Sequence, residues 1–298
     1  MNKTPIFSGA ATALITPMRG DGTVDYEVFG RLIDWQIEEG ISALVIAGTT
    51  GEGSTLSDAE HMEVLRFAAE RANGRVAMVA GTGSNNTAHA IEMSKEACGF
   101  GYDALLTVTP YYNKATQGGL VKTYMTIADA VTKPLILYNV PSRTGVNIEP
   151  STYAALADHP NIAGIKEANG NMSKIVETVA LVGDRLTLYS GNDDQIVPLL
   201  SMGGKGVISV LSNVLPAKTQ QICSLFFEGK IAESAALQCE MLPLINALFC
   251  EVNPIPVKAG MAAMGWGENV VRLPLTQMEP AHRAKLIALM QQQGLDVE

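Results

Sequence analysis

Eight short apolar runs, separated by amphipathic segments, predict a (β/α)8 TIM barrel. Each run is rich in Ala, Val, Ile and Leu, as is typical of parallel strands that are covered on both faces. The runs begin, in chain order, at Gly9, Ile41, Arg75, Tyr102, Lys133, Ile162, Leu186 and Gly206. Eight strand–helix units within about 220 residues are typical of a closed barrel. A doubly wound open sheet is the alternative fold for such units.

The segments between the runs carry helix signals. Segments 25–40 and 57–74, which follow the first and second runs, are both amphipathic. In the second segment Ser57 has the position of an N-cap, Glu60 has that of its capping-box partner, and Gly74 follows the predicted end. We expect a helix of this kind after each strand.

The chain continues beyond the eighth run with three helical patterns, at 231–250, 255–264 and 279–294. They add no strand, so we expect no second sheet domain. The predicted organisation is a catalytic barrel over residues 1–229, with a C-terminal helical extension packed on it over residues 230–298.

The composition restricts the class of protein. With 298 residues, 47% hydrophobic content and 28 glycines, the chain suits a well-buried α/β protein. A net charge of −9 without a basic cluster argues against nucleic acid or an acidic membrane as a partner. The start, "MNKTPIFSGAAT", lacks the apolar core of a signal peptide, and no run approaches the roughly 18 apolar residues of a membrane span.

Cysteine usage bears on the cell compartment. The four cysteines are Cys98, Cys223, Cys239 and Cys250. They form no CxxC pair, and no histidine lies at metal-ligand spacing from them. We therefore expect reduced core thiols in a cytoplasmic protein.

Lys166 is the fifth residue of the predicted buried strand that begins at Ile162. Burial of an unpaired ammonium is costly, so a lysine at this position needs an explanation. One explanation is a structural ion pair, for example with Glu167. The other is an amine that is kept out of water to act as a nucleophile. Side chains alternate along a strand, so if Lys166 faces the barrel interior, Glu167 faces the helices, which weakens the ion-pair explanation.

Alternation places a phenol beside this amine. In the preceding strand Ile136 and Tyr138 are expected to face inward, while Leu135 and Leu137 face the helices. Active residues of such barrels lie at the carboxyl ends of the strands. Lys166 and Tyr138 together would supply a nucleophile and a proton shuttle, provided that desolvation lowers the lysine pKa by about 3 units.

The loops after the strands offer binding groups. Thr49 and Thr50 in "GTTGEGSTL" form either a nest for a carboxylate or phosphate, or an ordinary turn. "GTGSNNT" matches no Walker or Rossmann spacing, and a phosphate cradle there has little support. Tyr111 and Tyr112 in "TPYYN" are by themselves typical of packing. Arg143 in "NVPSRTG" is either a bidentate carboxylate clamp or a member of a surface ion pair.

These motifs together are specific. "GTTGE", "TPYYN", "LYNVPSRTG", "GIKEA", "SGND", "GVISV" and "NPIPVK" occur in order and spacing that resemble the dihydrodipicolinate synthase family over essentially the whole chain. "GTTGE" and "GIKE" are shared with the wider pyruvate-dependent aldolase superfamily, which includes sialic acid lyase and keto-deoxy sugar acid aldolases. The arginine of "NVPSRTG" discriminates, because the sugar-acid relatives generally lack it.

The resemblance implies a 4-hydroxy-tetrahydrodipicolinate synthase activity. Pyruvate would form a Schiff base with Lys166 and then an enamine, which attacks L-aspartate 4-semialdehyde in the diaminopimelate route to lysine. Tyr138 matches the family's proton donor and acceptor. Thr49 matches the threonine that links this phenol to a second tyrosine, here Tyr112, which in the family comes from the neighbouring subunit. The resemblance therefore implies a homo-oligomer, at least a dimer and in our prediction a homotetramer.

The resemblance also assigns the substrate positions. Thr50 and the backbone at Ile208 match the positions that bind pyruvate, and Gly191 lies in the matching motif beside the pocket. Arg143 matches the residue that holds the carboxylate of the aldehyde substrate. No metal or organic cofactor is implied. The alternatives are a sugar-acid aldolase that uses the same Lys166 and Tyr138, and a non-catalytic barrel that binds a keto acid.

The chain departs from the family at a site that binds lysine in feedback-inhibited members. His61, Asn85 and Tyr111 match that pattern. Three other positions do not: His89 stands where a glutamate is common, Asp58 replaces a histidine, and Gly53 replaces a serine. An imidazole does not supply the missing negative charge, so we expect weak or absent inhibition by lysine. The alternative is that the Asp58 carboxylate reaches the ammonium of the bound lysine and replaces the missing glutamate.

Overall fold

The computed structural model describes residues 3–297, and its strands form a closed parallel barrel in the order β1 to β8. The strands are β1 Gly9–Ala13, β2 Ala43–Ile46, β3 Ala77–Gly81, β4 Ala104–Val108, β5 Leu135–Asn139, β6 Ile162–Glu167, β7 Thr187–Ser190 and β8 Gly206–Ser209. Pairing of β1 with β8 closes the sheet. The predicted (β/α)8 barrel is confirmed, and the open-sheet alternative is wrong.

Helices cover the outside of this barrel and continue after it. They are α1 Tyr26–Glu38, α2 Asp58–Ala72, α3 Thr87–Cys98, α4 Gln117–Ala130, α5 Pro141–Thr144, α6 Pro150–Leu156, α7 Met172–Val182, α8 Ile196–Ser201, α9 Pro216–Phe227, α10 Ile231–Leu248, α11 Ile255–Ala263 and α12 Pro280–Gln292. None of the helices in residues 3–297 is long and apolar enough to cross a membrane.

The second helix begins where its capping signals predict. The Ser57 hydroxyl accepts a hydrogen bond from the Glu60 backbone N–H, and the Glu60 carboxylate accepts one from the Ser57 backbone N–H at 2.9 Å. This reciprocal pair satisfies two of the N–H groups that a helix start leaves free. The helix ends at Ala72, because Asn73 adopts the left-handed conformation one residue before Gly74.

Side chains alternate between two apolar layers along the strands. Ile136 and Tyr138 belong to the cluster inside the barrel, whereas Leu137 and Ile165 belong to the layer between strands and helices. The register pairs Tyr138 directly with Lys166 across β5 and β6. The predicted orientation of both strands is confirmed.

The C-terminal helices α10–α12 are tied to the loop after β2 by a buried ion pair. Lys258 of α11 donates to the Glu52 carboxylate at 2.5 Å, and both side chains are 1% exposed. The other Glu52 oxygen accepts from the Arg272 backbone N–H at 3.0 Å. Loss of either charge would leave its partner buried and uncompensated, so this pair fixes the extension against the loop.

The cysteine prediction is partly wrong. All four thiols are free, and Cys223 is buried, as expected. Cys98 is only partly buried, and Cys239 and Cys250 are exposed. Cys239 lies on a solvent-facing side of α10 and Cys250 in the turn after it, positions that hydrophobicity alone does not reveal.

Candidate active site

Lys166 lies at the carboxyl end of β6 with its side chain inside the barrel. It is 6% exposed, and its Nζ stands 4.2 Å from the centre of the Tyr138 ring. Burial lowers the pKa of Lys166 to about 7. The negative charge of Asp193 raises this pKa and the positive charge of Arg143 lowers it, both less strongly than burial acts. About half of the amine is therefore neutral at pH 7.

Glu167 faces the opposite way, so it forms no ion pair with Lys166. Its carboxylate accepts hydrogen bonds from Asn139 Nδ2 at 3.0 Å, the Tyr153 hydroxyl at 3.1 Å and the Asn169 backbone N–H at 2.9 Å. Burial raises the pKa of Glu167 to about 7. An ion pair between Lys166 and Glu167 is therefore wrong, because Glu167 lies on the helix side of the strand.

The Tyr138 ring packs against the Lys166 amine, and its hydroxyl is the second reactive group of the site. Burial raises the pKa of Tyr138, and the charge of Arg143 and a hydrogen bond with the Thr49 side chain partly offset this rise. The phenol is thus neutral near pH 7 and available to donate a proton. Lys166 from β6, Tyr138 from β5 and Thr49 from the loop after β2 come together at this point.

These side chains line a cavity of about 170 Å³ at the carboxyl end of the barrel. The predicted site residues that line it are Thr49, Thr50, Tyr138, Arg143, Lys166 and Gly191. Phe249 and Asn253, which follow α10, line it as well. The C-terminal extension therefore contributes part of the cavity wall.

Asn253 forms hydrogen bonds with both Thr50 and Arg143, the two residues suited to bind carboxylates. Its side-chain Nδ2 donates to the Thr50 hydroxyl at 3.0 Å, and its backbone carbonyl accepts from Arg143 at 3.1 Å. Arg143 belongs to the short helix α5 and is exposed at the cavity entrance. Among the described residues it has no carboxylate partner, so its guanidinium keeps donors available for a ligand.

Residue 191 has to be a glycine because the chain at Glu167 and Ala168 passes too close to it for a side chain. Its backbone N–H donates to the Glu167 carbonyl at 2.7 Å, and a Cβ at this position would lie 2.8 Å from the Ala168 Cβ. Ile208 is almost fully buried inside the barrel, and it is Val210, two residues later, that lines the cavity. The structure therefore places Ile208 next to the site's wall and not on it.

Tyr112 does not line this cavity. Its backbone lies in the left-handed region, with φ at +71°, and its side chain is 90% exposed. It lines neither the 170 Å³ cavity nor the larger one beside it. A single chain thus brings together the predicted catalytic residues with the exception of Tyr112.

A second, wider cavity of about 530 Å³ shares the Tyr138 and Arg143 walls with the first. It is lined by the residues of the predicted lysine site: Gly53, Asp58, His61, Asn85, His89 and Tyr111. His89 Nε2 lies 3.1 Å from an Asp58 carboxylate oxygen. These two residues, which both depart from the family pattern, therefore contact each other. A Cβ on Gly53 would lie 2.3 Å from the Ala47 carbonyl, which leaves no room for a serine in this loop.

Sequence reasoning assigned no role to Asn253 or Asp193. Both lie in motifs that were singled out, "NPIPVK" and "SGND". Asn253 contacts Thr50 from 203 positions away along the chain, a distance that no local pattern bridges. Asp193 follows a strand end, which by itself is a signal for a functional carboxylate.

Comparison with known proteins gives a consistent result. The model of the dihydrodipicolinate synthetase family matches residues 6–293. A 4-hydroxy-tetrahydrodipicolinate synthase of Caldicellulosiruptor saccharolyticus is 50% identical over 294 residues, 99% of each chain. The structure of the Acinetobacter baumannii dihydrodipicolinate synthase complexed with pyruvate is 42% identical, with a TM-score of 0.95 over 97% of this chain and 99% of that one.

A further solved structure is described as the first monomeric dihydrodipicolinate synthase variant. It is 40% identical, with a TM-score of 0.95 over 97% of this chain and 98% of that chain. The matches extend over both the barrel and the C-terminal helices. This chain belongs to the dihydrodipicolinate synthetase family.

Proposed function

We propose that the protein is a 4-hydroxy-tetrahydrodipicolinate synthase that condenses pyruvate with L-aspartate 4-semialdehyde. The observation that carries the proposal is the state of Lys166, a buried amine with a pKa of about 7 at the inner end of a cavity. An ordinary lysine has only about one molecule in a few thousand neutral at pH 7. Lys166 therefore gains roughly a thousandfold in the population that can attack a ketone.

The first step joins pyruvate to the enzyme. Neutral Lys166 Nζ attacks the ketone carbon, the C–N bond forms, and the ketone oxygen leaves as water after protonation. Tyr138 supplies and takes up protons, because its ring packs against the amine and its hydroxyl meets the Thr49 side chain. The resulting iminium draws electrons from the methyl group, which loses a proton to give the enamine. The iminium nitrogen is the electron sink, so the mechanism calls for no metal or organic cofactor.

The loop after β2 is suited to the carboxylate of pyruvate. Asn253 donates into the Thr50 hydroxyl oxygen, which leaves the Thr50 hydroxyl hydrogen free to donate to a ligand. Thr50 and its backbone N–H then hold the carboxylate. The backbone at Ile208, which lies behind the cavity wall, would become a second contact only if that wall opens when pyruvate binds. Gly191 keeps the opposite wall free of a side chain.

Arg143 reads the second substrate at the cavity entrance. Its guanidinium pairs with the carboxylate of aspartate semialdehyde and points the aldehyde towards the enamine. The enamine carbon forms a bond to the aldehyde carbon, whose oxygen becomes a hydroxyl. The amino group of the adduct then attacks the imine carbon, closes the ring and displaces Lys166 as a free amine.

Tyr112 enters the site from a second copy of the chain. Its 90% exposed ring and left-handed backbone at the tip of the loop after β4 support this arrangement, since an exposed aromatic side chain is suited to an interface. The smallest complete unit is then a dimer. A homotetramer and a cytoplasmic location remain predictions from the sequence.

The test is a coupled assay with both substrates and a downstream reductase. We expect turnover that requires pyruvate and aspartate semialdehyde together and that disappears in Lys166→Ala. The same preparation should not cleave sialic acid. Cleavage of sialic acid without condensation would support the sugar-acid aldolase, and binding of pyruvate without either reaction would support the non-catalytic barrel.

A further inference from the structure

Asp193 is a buried carboxylate to which the mechanism above gives no role. It opens the short 3-10 turn Asp193–Gln195 after β7 and is 2% exposed. One oxygen, Oδ2, accepts hydrogen bonds from the backbone N–H groups of Val210 at 3.0 Å and Leu211 at 2.9 Å. The other oxygen, Oδ1, is buried and has no partner at hydrogen-bonding distance among residues 3–297, although the Ser209 side chain lies close enough to the carboxylate to favour its ionised form. An unpartnered buried carboxylate oxygen is costly unless a nearby positive charge compensates it.

The position of Asp193 identifies that charge. Strand β7 lies next to β6, and its Tyr189 is the register partner of Lys166. The hydrogen bonds of Oδ2 hold Asp193 against the segment after β8, where Val210 lines the cavity that contains Lys166. Burial raises the pKa of Asp193, and hydrogen bonds from Ser209, Leu211 and Val210 and the charge of Lys166 partly offset this rise. The negative charge of Asp193 in turn raises the pKa of Lys166. Glu167, the nearest carboxylate in sequence, is engaged on the helix side of its strand.

We infer that Asp193 is the anionic partner of the cationic imine on Lys166. This inference rests on the proposed function, since it concerns the intermediate of that reaction. Asp193 touches no reacting atom, acts through Lys166 and is in this sense a positioning residue. Its negative charge stabilises the positive charge of the iminium, and that positive charge makes the iminium an electron sink.

Charge balance predicts when this partner matters. Below the pKa of Lys166 the amine is an ammonium, so reactant and iminium both carry one positive charge and the attraction of Asp193 cancels. Above that pKa a neutral amine, a ketone and one proton give the iminium and one water. Only the product is then charged, and Asp193 favours imine formation.

Other titratable groups around the pair have distinct effects. They are Tyr138 on β5, Arg143 on α5, Tyr189 on β7 and Cys223 on α9. Arg143 opposes the positive charge on Lys166, and the Tyr189 hydroxyl is engaged with the Phe7 carbonyl at 3.0 Å. Burial keeps the phenols and the thiol neutral near pH 7, since it raises the pKa of all three. The negative charge that acts on Lys166 is therefore that of Asp193.

The test compares Asp193→Asn with Asp194→Asn, the exposed neighbour that undergoes the same change in charge. Asparagine at 193 can still accept from the Val210 and Leu211 N–H groups through its side-chain oxygen. The measured quantity is the dissociation constant of the pyruvate imine, from the fraction of protein trapped by borohydride. We expect about tenfold weaker imine formation than wild type at pH 8.5, the equivalent of one unit of lysine pKa, and a difference within about twofold at pH 5.5.

The outcomes separate the inference from the proposed function. A wild-type protein that forms no imine would overturn both. Equal loss at the two pH values, no loss at either, or the same loss in Asp194→Asn would overturn the role of Asp193 alone. If Asp193→Asn does not fold in a thermal unfolding control, infrared spectra of wild-type protein labelled with ¹³C-aspartate decide the matter. A buried aspartic acid that stays protonated at pH 8.5 with pyruvate bound would contradict the inference.

Discussion

Replacement of Arg143 by alanine should separate the two substrates and shift the pH dependence at the same time. Arg143 is exposed at the cavity entrance and has no carboxylate partner in the described chain, so truncation removes a pairing with ligand and leaves no protein charge stranded. We therefore take the low end of the cost for one charge-assisted partner, about 2 kcal/mol, or about 30-fold in kcat/KM for aspartate semialdehyde.

A second effect acts on the amine. The positive charge of Arg143 lowers the pKa of Lys166, so its removal should raise that pKa above about 7. Less amine is then neutral at pH 7, and imine formation with pyruvate should slow there. At pH 9 most of the amine is neutral in both proteins, so imine formation should recover while the 30-fold loss for the aldehyde persists.

The assay measures both steps at both pH values. Borohydride trapping after short incubation with pyruvate reports imine formation, and the coupled reductase assay reports condensation. Arg143→Lys serves as the matched control, since it keeps the charge near Lys166 but not the bidentate geometry. Imine formation and condensation that fall equally in Arg143→Ala at pH 9 would refute the assignment of Arg143 to the second substrate.

Three further predictions concern other parts of the site. Tyr112→Phe and Lys166→Ala should each be nearly inactive. Subunit exchange between the two variants should restore activity, because a mixed dimer has one site with both native residues. If subunits exchange and no activity returns, Tyr112 serves the site of its own chain. Lysine should inhibit weakly, since His89 replaces a charged partner worth about 10- to 150-fold in affinity, and strong inhibition at sub-millimolar lysine would contradict this. Gly191→Ala should unfold about 1–3 kcal/mol more easily in urea, because its Cβ would lie 2.8 Å from the Ala168 Cβ, whereas Gly118→Ala, with open space, should not.

The barrel and the central pair of the site were predictable because local patterns determine them. Apolar runs determine the strands, and alternation along β5 and β6 is enough to predict that Tyr138 and Lys166 lie side by side, as their register shows. Burial then fixed the direction of the lysine pKa, which needs only that the residue ends an apolar strand.

The remaining parts depend on contacts that one local pattern does not contain. Asn253 reaches Thr50 across the fold, and the free oxygen of Asp193 is visible only once its hydrogen bonds are counted. Tyr112 is exposed in a single chain, so its place follows from the family resemblance and not from this structure. Cys239 and Cys250 were placed in the core because thiols are usually buried, but their helix and turn face solvent.

The central claim is that the Lys166 amine carries pyruvate as an imine. Incubation with pyruvate and borohydride, followed by peptide mapping, should place one reduced three-carbon acid adduct on Lys166 and none on the other buried lysine, Lys258, whose amine is paired with Glu52. The rate of labelling should fall as the pH drops below about 7, where less of the amine is neutral and able to attack. An adduct on another lysine, or no adduct in an enzyme that still turns over, would contradict the account.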